Sequence, residues 1–206
     1  NGINYEKQMT NNDLAIALKG KKLILASGSP RRKEFFEKLG VPFSVRVADA
    51  DESYPSGLSE CGIAEHISRI KAHAAGTPDR DEIIVAADTI VWVHGHVLGK
   101  PSGKKQAEEM LARLSGKTHS VVTGVTIRSA DKEETFSAVT RVTFSPLSEN
   151  DIKYYVDNFS PMDKAGAYAI QEWIGETHIT SVEGSYHNVV GLPTAELYSR
   201  LKKFVE

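Results

Sequence analysis

Leu23-Ile24-Leu25-Ala26-Ser27-Gly28-Ser29-Pro30-Arg31-Arg32 is the stretch that decides the fold class. The apolar run 23–26 has strand character, the Ser/Gly segment makes a tight loop, and Pro30 suits the first turn of a helix expected to continue through Arg31 to Leu39. A strand passing straight into a helix is the unit from which α/β sheets are built. Working outward, a second strand is expected at Phe43 to Val47, followed by an acidic, turn-like stretch from Ala48 to Ser56. Ser59 then opens a helix with Ile63, Ile67, Ile70 and Ala74 on one face, and Gly76-Thr77-Pro78 stops it.

Ile83 to Ala87 reads as a fully buried strand, which Asp88-Thr89 is expected to interrupt before Ile90-Val91-Trp92-Val93 resumes it. His94-Gly95-His96 marks a hairpin turn. Ser102 begins a helix with Ala107, Met110, Leu111 and Leu114 on one face, ending at Gly116. Alternation at Val121, Thr123, Val125 and Ile127, and again at Phe136, Ala138, Thr140, Val142 and Phe144, predicts a long antiparallel pair. Ser148 and Asp151 start a helix carrying Ile152, Tyr155, Val156 and Phe159, and a last helix from about Thr194 presents Leu197, Leu201 and Phe204. Helices and strands interleave with no linker and no repeat. The expectation is one α/β domain over residues 22–206, a mixed twisted sheet flanked by helices, behind a polar tail at 1–21; two lobes around a cleft fit the same pattern.

The 206 residues can bury roughly 70% of their unfolded surface, enough for a core without disulfide or metal support. Hydrophobic residues at 40% and charged residues at 25% exclude a disordered, collagenous or coiled-coil chain. With 25 basic against 27 acidic residues the net charge is −2, so no general attraction to nucleic acid or membrane is expected and an anionic ligand must be gripped locally. Cys61 is the sole cysteine, which excludes an intramolecular disulfide and a four-cysteine zinc site and suits a reducing, cytoplasmic setting. No apolar run approaches the ~20 residues of a membrane span, and the first twenty residues have no apolar signal core.

Three features could carry chemistry. Ser27-Gly28-Ser29-Pro30-Arg31-Arg32 exposes backbone N–H groups at a positive helix end and adds two hydroxyls and two guanidinium groups for phosphate oxygens. An ordinary strand-to-helix loop with surface arginines has the same composition, and the glycine spacings of a P-loop and of a dinucleotide fold are both lacking. Asp88, inside an apolar run, must face a cleft, a cation or a hydrogen-bond network, because an unpaired buried carboxylate is unstable there; a structural strand-end aspartate is the plainer alternative. The acidic cluster Asp49, Asp51 and Glu52 could join Asp88 around a hard divalent ion, although such a cluster is more often a solvated turn. Lys71, Lys100 and Lys164 sit in tight local contexts and are candidate phosphate ligands, none specific alone. His94 and His96 lack a third placed zinc ligand, and Gly184-Ser185-Tyr186 lacks the nucleophile elbow.

Taken in order, these residues resemble a known family. Leu25-Ala26-Ser27-Gly28-Ser29-Pro30-Arg31-Arg32, Asp51-Glu52-Ser53, Arg69-Ile70-Lys71-Ala72, Ala87-Asp88-Thr89, Gly99-Lys100-Pro101, Leu114-Ser115-Gly116-Lys117-Thr118-His119, the run Asp163 to Gln171, and the run Gly184 to Pro193 are similar to the motifs of the Maf nucleotide pyrophosphatases, over about Lys22 to Glu206. The resemblance implies an elongated α/β fold like that of the inosine triphosphate pyrophosphatases, and hydrolysis of nucleoside triphosphates to monophosphate and pyrophosphate with a divalent cation, Mg²⁺, Mn²⁺ or Co²⁺. Positions Arg31, Thr89 and Gln171 resemble the branch acting on dTTP and UTP, and Asp88 matches the family's proton acceptor. The sequence departs from the pattern at Glu172-Trp173, where a glycine is usual, and in the tail before Lys21.

Together the two readings predict a nucleotide house-cleaning enzyme for dTTP and UTP, with modified pyrimidine nucleotides as further candidates. Ser27, Ser29, Arg31, Arg32, Lys71, Lys100 and Lys164 are expected on the phosphates, with Lys100 also helping catalysis; Thr89 and Gln171 are expected on the nucleotide, and Glu52 and Asp88 on the metal, Asp88 doubling as base. The competing expectation is a nucleotide or nucleic-acid binding regulator of cell division without turnover. Asp88 discriminates the two, since a pure phosphate binder has no use for a carboxylate that repels its ligand unless a metal intervenes. No stable nucleic-acid complex and no membrane association are expected, and the sequence leaves a homodimer open.

Overall fold

The computed structural model describes residues 12–206; the first eleven residues of the expected tail lie outside that range. In chain order the elements are α1 (Asp13–Ala17), β1 (Lys22–Leu25), α2 (Pro30–Lys38), β2 (Phe43–Val45), α3 (Glu60–Ala74), β3 (Glu82–Val93), β4 (His96–Leu98), α4 (Lys104–Leu114), β5 (Thr118–Arg128), β6 (Glu133–Phe144), α5 (Glu149–Phe159), α6 (Trp173–His178), β7 (Ile179–Glu183), α7 (Tyr186–Val190) and α8 (Thr194–Val205). Single 3-10 turns at Pro161–Asp163 and Ala165–Ala167 lie between α5 and α6.

The strands form one sheet in the order β2-β1-β3-β5-β6-β7, with β4 on β3. β1 pairs in parallel with β2 and β3, Leu23 facing Phe43 on one side and Ile83 on the other. β3 pairs antiparallel with β4, and β6 antiparallel with β7, so the sheet is mixed as the sequence predicts. The chain divides into two compact units: the described residues through Asp88 with Gly124–Ser137 and Gly191–Glu206, and Thr89–Thr123 with Ala138–Val190.

In the first unit, Ile24, Ala26, Ile84 and Ala86 pack with Ala72 and Ala75 of the α3 end, all almost fully buried. The continuous apolar run of β3 follows from that position, since a central parallel strand is covered on both faces. Gly124 of β5 lies so close to α3 that a Cβ there would stand 2.2 Å from Ala64 O. In the second unit, Leu111 and Leu114 of α4, Tyr155 and Val156 of α5, and Val142 and Phe144 of β6 share one core with Ile170 and Ile174.

Three expectations are corrected. Asp88-Thr89 does not interrupt the strand: β3 runs unbroken for twelve residues. The α4 helix begins at Lys104 rather than Ser102; Ser102 N–H instead donates to Gln106 Oε1 at 2.6 Å, ahead of the first turn. β2 ends at Val45, short of Val47. Residues 13–17, placed by sequence in the polar tail, form α1: Asn12 Oδ1 accepts from Ala15 N–H at 2.8 Å, Leu14 is fully buried, and Asp13 meets Lys202 of α8 at 2.8 Å.

Candidate active site

The β1–α2 loop has the strand–loop–helix form that the sequence predicts. Pro30 occupies the first turn of α2, and Ser29, its N-cap, makes no side-chain capping bond. Arg32, Phe35 and Phe36 form the buried stripe of that helix, so the spacing that inserts the phenylalanines into the core also turns Arg32 inward, where it is 9% exposed. There Arg32 Nε donates to Gly191 O at 2.9 Å and its NH1 reaches Ser27 Oγ at 3.4 Å, while Ser29 N–H donates to the same hydroxyl at 3.3 Å. Burial pushes the Arg32 guanidinium below its usual range and Arg31 adds to that push; the charges of Asp88 and Glu52 oppose it. Arg32 therefore feels both carboxylates.

Asp88 ends the first unit's share of β3 and is 8% exposed. A carboxylate so placed needs a partner, and α3 supplies it: Lys71 Nζ donates to Asp88 Oδ1 at 2.6 Å. The helix is positioned by Ser59, whose hydroxyl accepts Gly62 N–H at 3.2 Å, and by Ile63, Ala64, Ile67 and Ala72 buried beneath it. The same Lys71 ammonium stands 3.0 Å from Glu52 Oε1. Asp49 and Asp51 do not join them. Asp51 accepts Ser53 N–H at 3.0 Å in an exposed turn, which holds its carboxyl below the usual range. A cavity of about 530 Å³ lies beside that turn, lined by Asp49, Asp51 and the α3 residues His66, Arg69 and His73.

Among the described residues no group of three or more His, Cys, Asp or Glu side chains is arranged to hold a metal. Glu52 and Asp88 nevertheless converge on one cationic atom, Lys71 Nζ, so they can share a single cation. Two carboxylates completed by phosphate oxygens and water is an ordinary Mg²⁺ donor set, and these residues fit it.

Thr89, Lys100, Lys164 and Gln171 belong to the second unit. Thr89 Oγ1 bonds Thr123 Oγ1 at 2.9 Å, and Thr123 donates to Asn188 O at 3.3 Å. Asn188, fully buried on α7, donates to Val121 O and Ala138 O at 3.1 Å and to Thr140 Oγ1 at 3.0 Å. Asn188 lies in the motif run Gly184 to Pro193, yet a polar residue in a five-residue helix has no pattern that separates a clasp from a surface side chain. Lys100 is exposed, and its loop is tied down next door: Gly166 N–H donates to Gly99 O at 3.1 Å. Gly166 has φ 69°, and a Cβ there would stand 2.9 Å from Val91 Cγ2, so the Lys164-Ala165-Gly166 bend needs glycine at that point. Lys164 is 9% exposed, donating to Asp163 Oδ1 at 2.8 Å and standing 3.4 Å from Glu172 Oε1. Gln171 is exposed in the turn that precedes α6. Tyr168, three residues earlier, is held by His119, whose Nε2 is 2.6 Å from the phenol oxygen.

Residues 22–204 match the family described as Maf-like protein, and the chain belongs to that family. It is 51% identical to a dTTP/UTP pyrophosphatase of Bacteroides thetaiotaomicron over 183 residues, covering 88% of this chain and 95% of that one. A dTTP/UTP pyrophosphatase of Flavobacterium psychrophilum is 47% identical over 178 residues, 86% of this chain and 91% of the relative. The solved structure of the Staphylococcus aureus Ham1 protein matches 87% of this chain and 100% of its own with 16% identity and a TM-score of 0.49, a likeness too slight to build on.

Proposed function

We propose that this Maf-family chain hydrolyses dTTP and UTP to the monophosphate and pyrophosphate. The reading is supported by relatives of that name at about half identity over most of their length. The observation that carries it is the cluster of Asp88, Lys71 and Glu52 within the electrostatic reach of Arg32, in the first turn of α2 after the Ser/Gly loop. Such a cluster combines a carboxylate base, cations for a polyphosphate and donors for a hard ion, whereas a binder without turnover needs the carboxylates only where a metal intervenes.

In this reading the backbone N–H groups at the start of α2, with Ser27, Ser29, Arg31 and Arg32, bind phosphate oxygens, and Lys71 leaves its carboxylates to do the same. Lys100 and Lys164 add charge for the leaving pyrophosphate. Asp88 takes the proton of a water whose oxygen attacks the α-phosphorus; the bond to the α–β bridging oxygen breaks, and its electron pair leaves with the pyrophosphate. Glu52 and Asp88 would hold the divalent cation. When bound there, such an ion would supply Lewis-acid neutralisation of developing phosphate charge. Thr89 and Arg31 are assigned to the nucleotide, and Gln171 to the base, where one carboxamide complements the N–H and carbonyl edge of uracil or thymine.

The test is a nucleoside triphosphate panel with Mn²⁺, read separately for pyrophosphate and orthophosphate. Pyrophosphate release from dTTP and UTP ahead of CTP and the purines is the expected result; orthophosphate as the product, or tight binding without turnover, would overturn the assignment.

A further inference from the structure

One buried hydroxyl holds both corners of the turn that carries Gln171. Glu172 N–H donates to Ala169 O at 3.1 Å, closing a four-residue turn with Gln171 in third position. Tyr155, fully buried on α5, accepts Ala169 N–H at 3.1 Å and donates its own proton to Glu172 Oε2. The other Glu172 oxygen faces Lys164 Nζ at 3.4 Å. Beneath the turn, Ile170 and Ile174 are anchored in the core, which leaves the Gln171 side chain as the exposed part of a braced segment. Burial and the adjacent Glu172 carboxylate both push the Tyr155 phenol upward, so it remains a donor throughout the working pH range.

We infer that Tyr155 and Glu172 are positioning residues for base selection: they fix the backbone of the Ala169–Glu172 turn so that the Gln171 carboxamide is delivered to the base at one position. The inference rests on the proposed role of Gln171. A carboxamide can turn about its own torsion to offer oxygen or nitrogen, and on a loose turn it can also shift to follow whichever base edge arrives, so it discriminates little. On a braced turn the wrong edge leaves buried or desolvated polar groups unpaired, and that loss is what separates substrates. Tyr155 is suited to the task because a single atom bonds both ends of the turn. Lys164 holds the Glu172 carboxylate from its other side, so the brace ends on a cation assigned to the phosphates.

The test compares kcat and KM for dTTP and CTP in the wild type, Tyr155→Phe, Glu172→Ala, Glu172→Gln and Gln171→Ala. Tyr155→Phe and Glu172→Ala are expected to raise KM for dTTP about tenfold with kcat held within about threefold, lowering the dTTP/CTP ratio of kcat/KM. Glu172→Gln, whose amide oxygen still accepts from Tyr155, should keep most of that ratio. In a Gln171→Ala background, Tyr155→Phe should lower it no further. Glu172 is only partly buried, its side chain 24% exposed, so its variants report even if Tyr155→Phe fails to fold. If Gln171→Ala lowers the ratio but Tyr155→Phe and Glu172→Ala leave it intact, the brace is refuted and the base contact stands. An equal loss for both nucleotides in those two variants, carried by kcat, would likewise reduce the pair to a structural role. If Gln171→Ala itself leaves the ratio unchanged, the base assignment fails and this inference falls with it.

Discussion

Lys71 and Asp88 are joined by a 2.6 Å hydrogen bond between Nζ and Oδ1, and the same ammonium reaches Glu52 at 3.0 Å. One cation thus bridges two carboxylates that would otherwise repel each other. The pairing explains how an unbroken strand of apolar residues tolerates Asp88. Under the proposed function it also sets a competition, because a divalent ion would seek the same oxygens and a triphosphate the same ammonium.

Asp88→Asn keeps the shape of the side chain and removes the proton acceptor. kcat for pyrophosphate release should fall by at least ~10²-fold, the usual scale for a positioned base. KM should move much less. Steady-state kinetics of the purified variant check this, and a near-normal kcat would leave Asp88 with its structural pairing alone.

Excess chelator should abolish turnover, and Mg²⁺, Mn²⁺ or Co²⁺ should restore it, since carboxylates and phosphates form an oxygen-only donor set. Glu52→Gln should raise the Mn²⁺ concentration needed for half-maximal rate on the order of tenfold or more, at least the loss that follows removal of an outer-sphere partner. Full activity in chelator, measured by pyrophosphate release, would contradict both expectations.

His119 is held neutral in the fold, where burial pushes its imidazole down to about 4. In the unfolded chain it titrates near ~6.5, so between these values the unfolded state binds a proton that the folded state does not, and stability falls as pH drops through that window. The wild type should lose about 1.6 kcal/mol more than His119→Gln between pH 6.5 and pH 5, because the slope is about half of 1.4 kcal/mol per pH unit at pH 6.5, the unfolded pKa, and approaches the full value below it. Urea titrations of both proteins at the two pH values decide the matter; parallel losses would mean that His119 takes up its proton in the fold as readily as in the unfolded chain.

Gly124→Ala should be strongly destabilising, because its Cβ would stand 2.2 Å from Ala64 O and 2.5 Å from Glu65 N, and backbone cannot step aside as a side-chain tip can. The expected loss is about 3 kcal/mol, the upper end for overpacking. At roughly 2–4 °C per kcal/mol for a chain of this size, Tm should fall by about 6–12 °C. Gly99→Ala, with nothing within 4 Å of its Cβ, is the control and should leave Tm almost unchanged. A mild Gly124→Ala would mean that β5 and α3 can separate more freely than their packing implies.

What the sequence determined by itself was local. The run from Leu23 to Arg32 carries its own strand, loop and proline-started helix, and Ser59 and Ser148 cap the helices they open, because those signals act over three or four residues. The ordered motifs were also sufficient to recognise the family. Short elements escaped: α1, α6, α7 and β7 have five or six residues each, too few for a period to emerge. Asp88 misled for another reason, since a carboxylate in an apolar run looks like a strand break until Lys71, seventeen positions earlier, is seen to neutralise it. Only the tertiary structure could decide that pairing, the inward turn of Arg32 toward Gly191 O, and the bond from Tyr155 to the two corners of the Gln171 turn. Each joins residues far apart in the chain, and such contacts depend on how elements pack rather than on the spacing within any one of them.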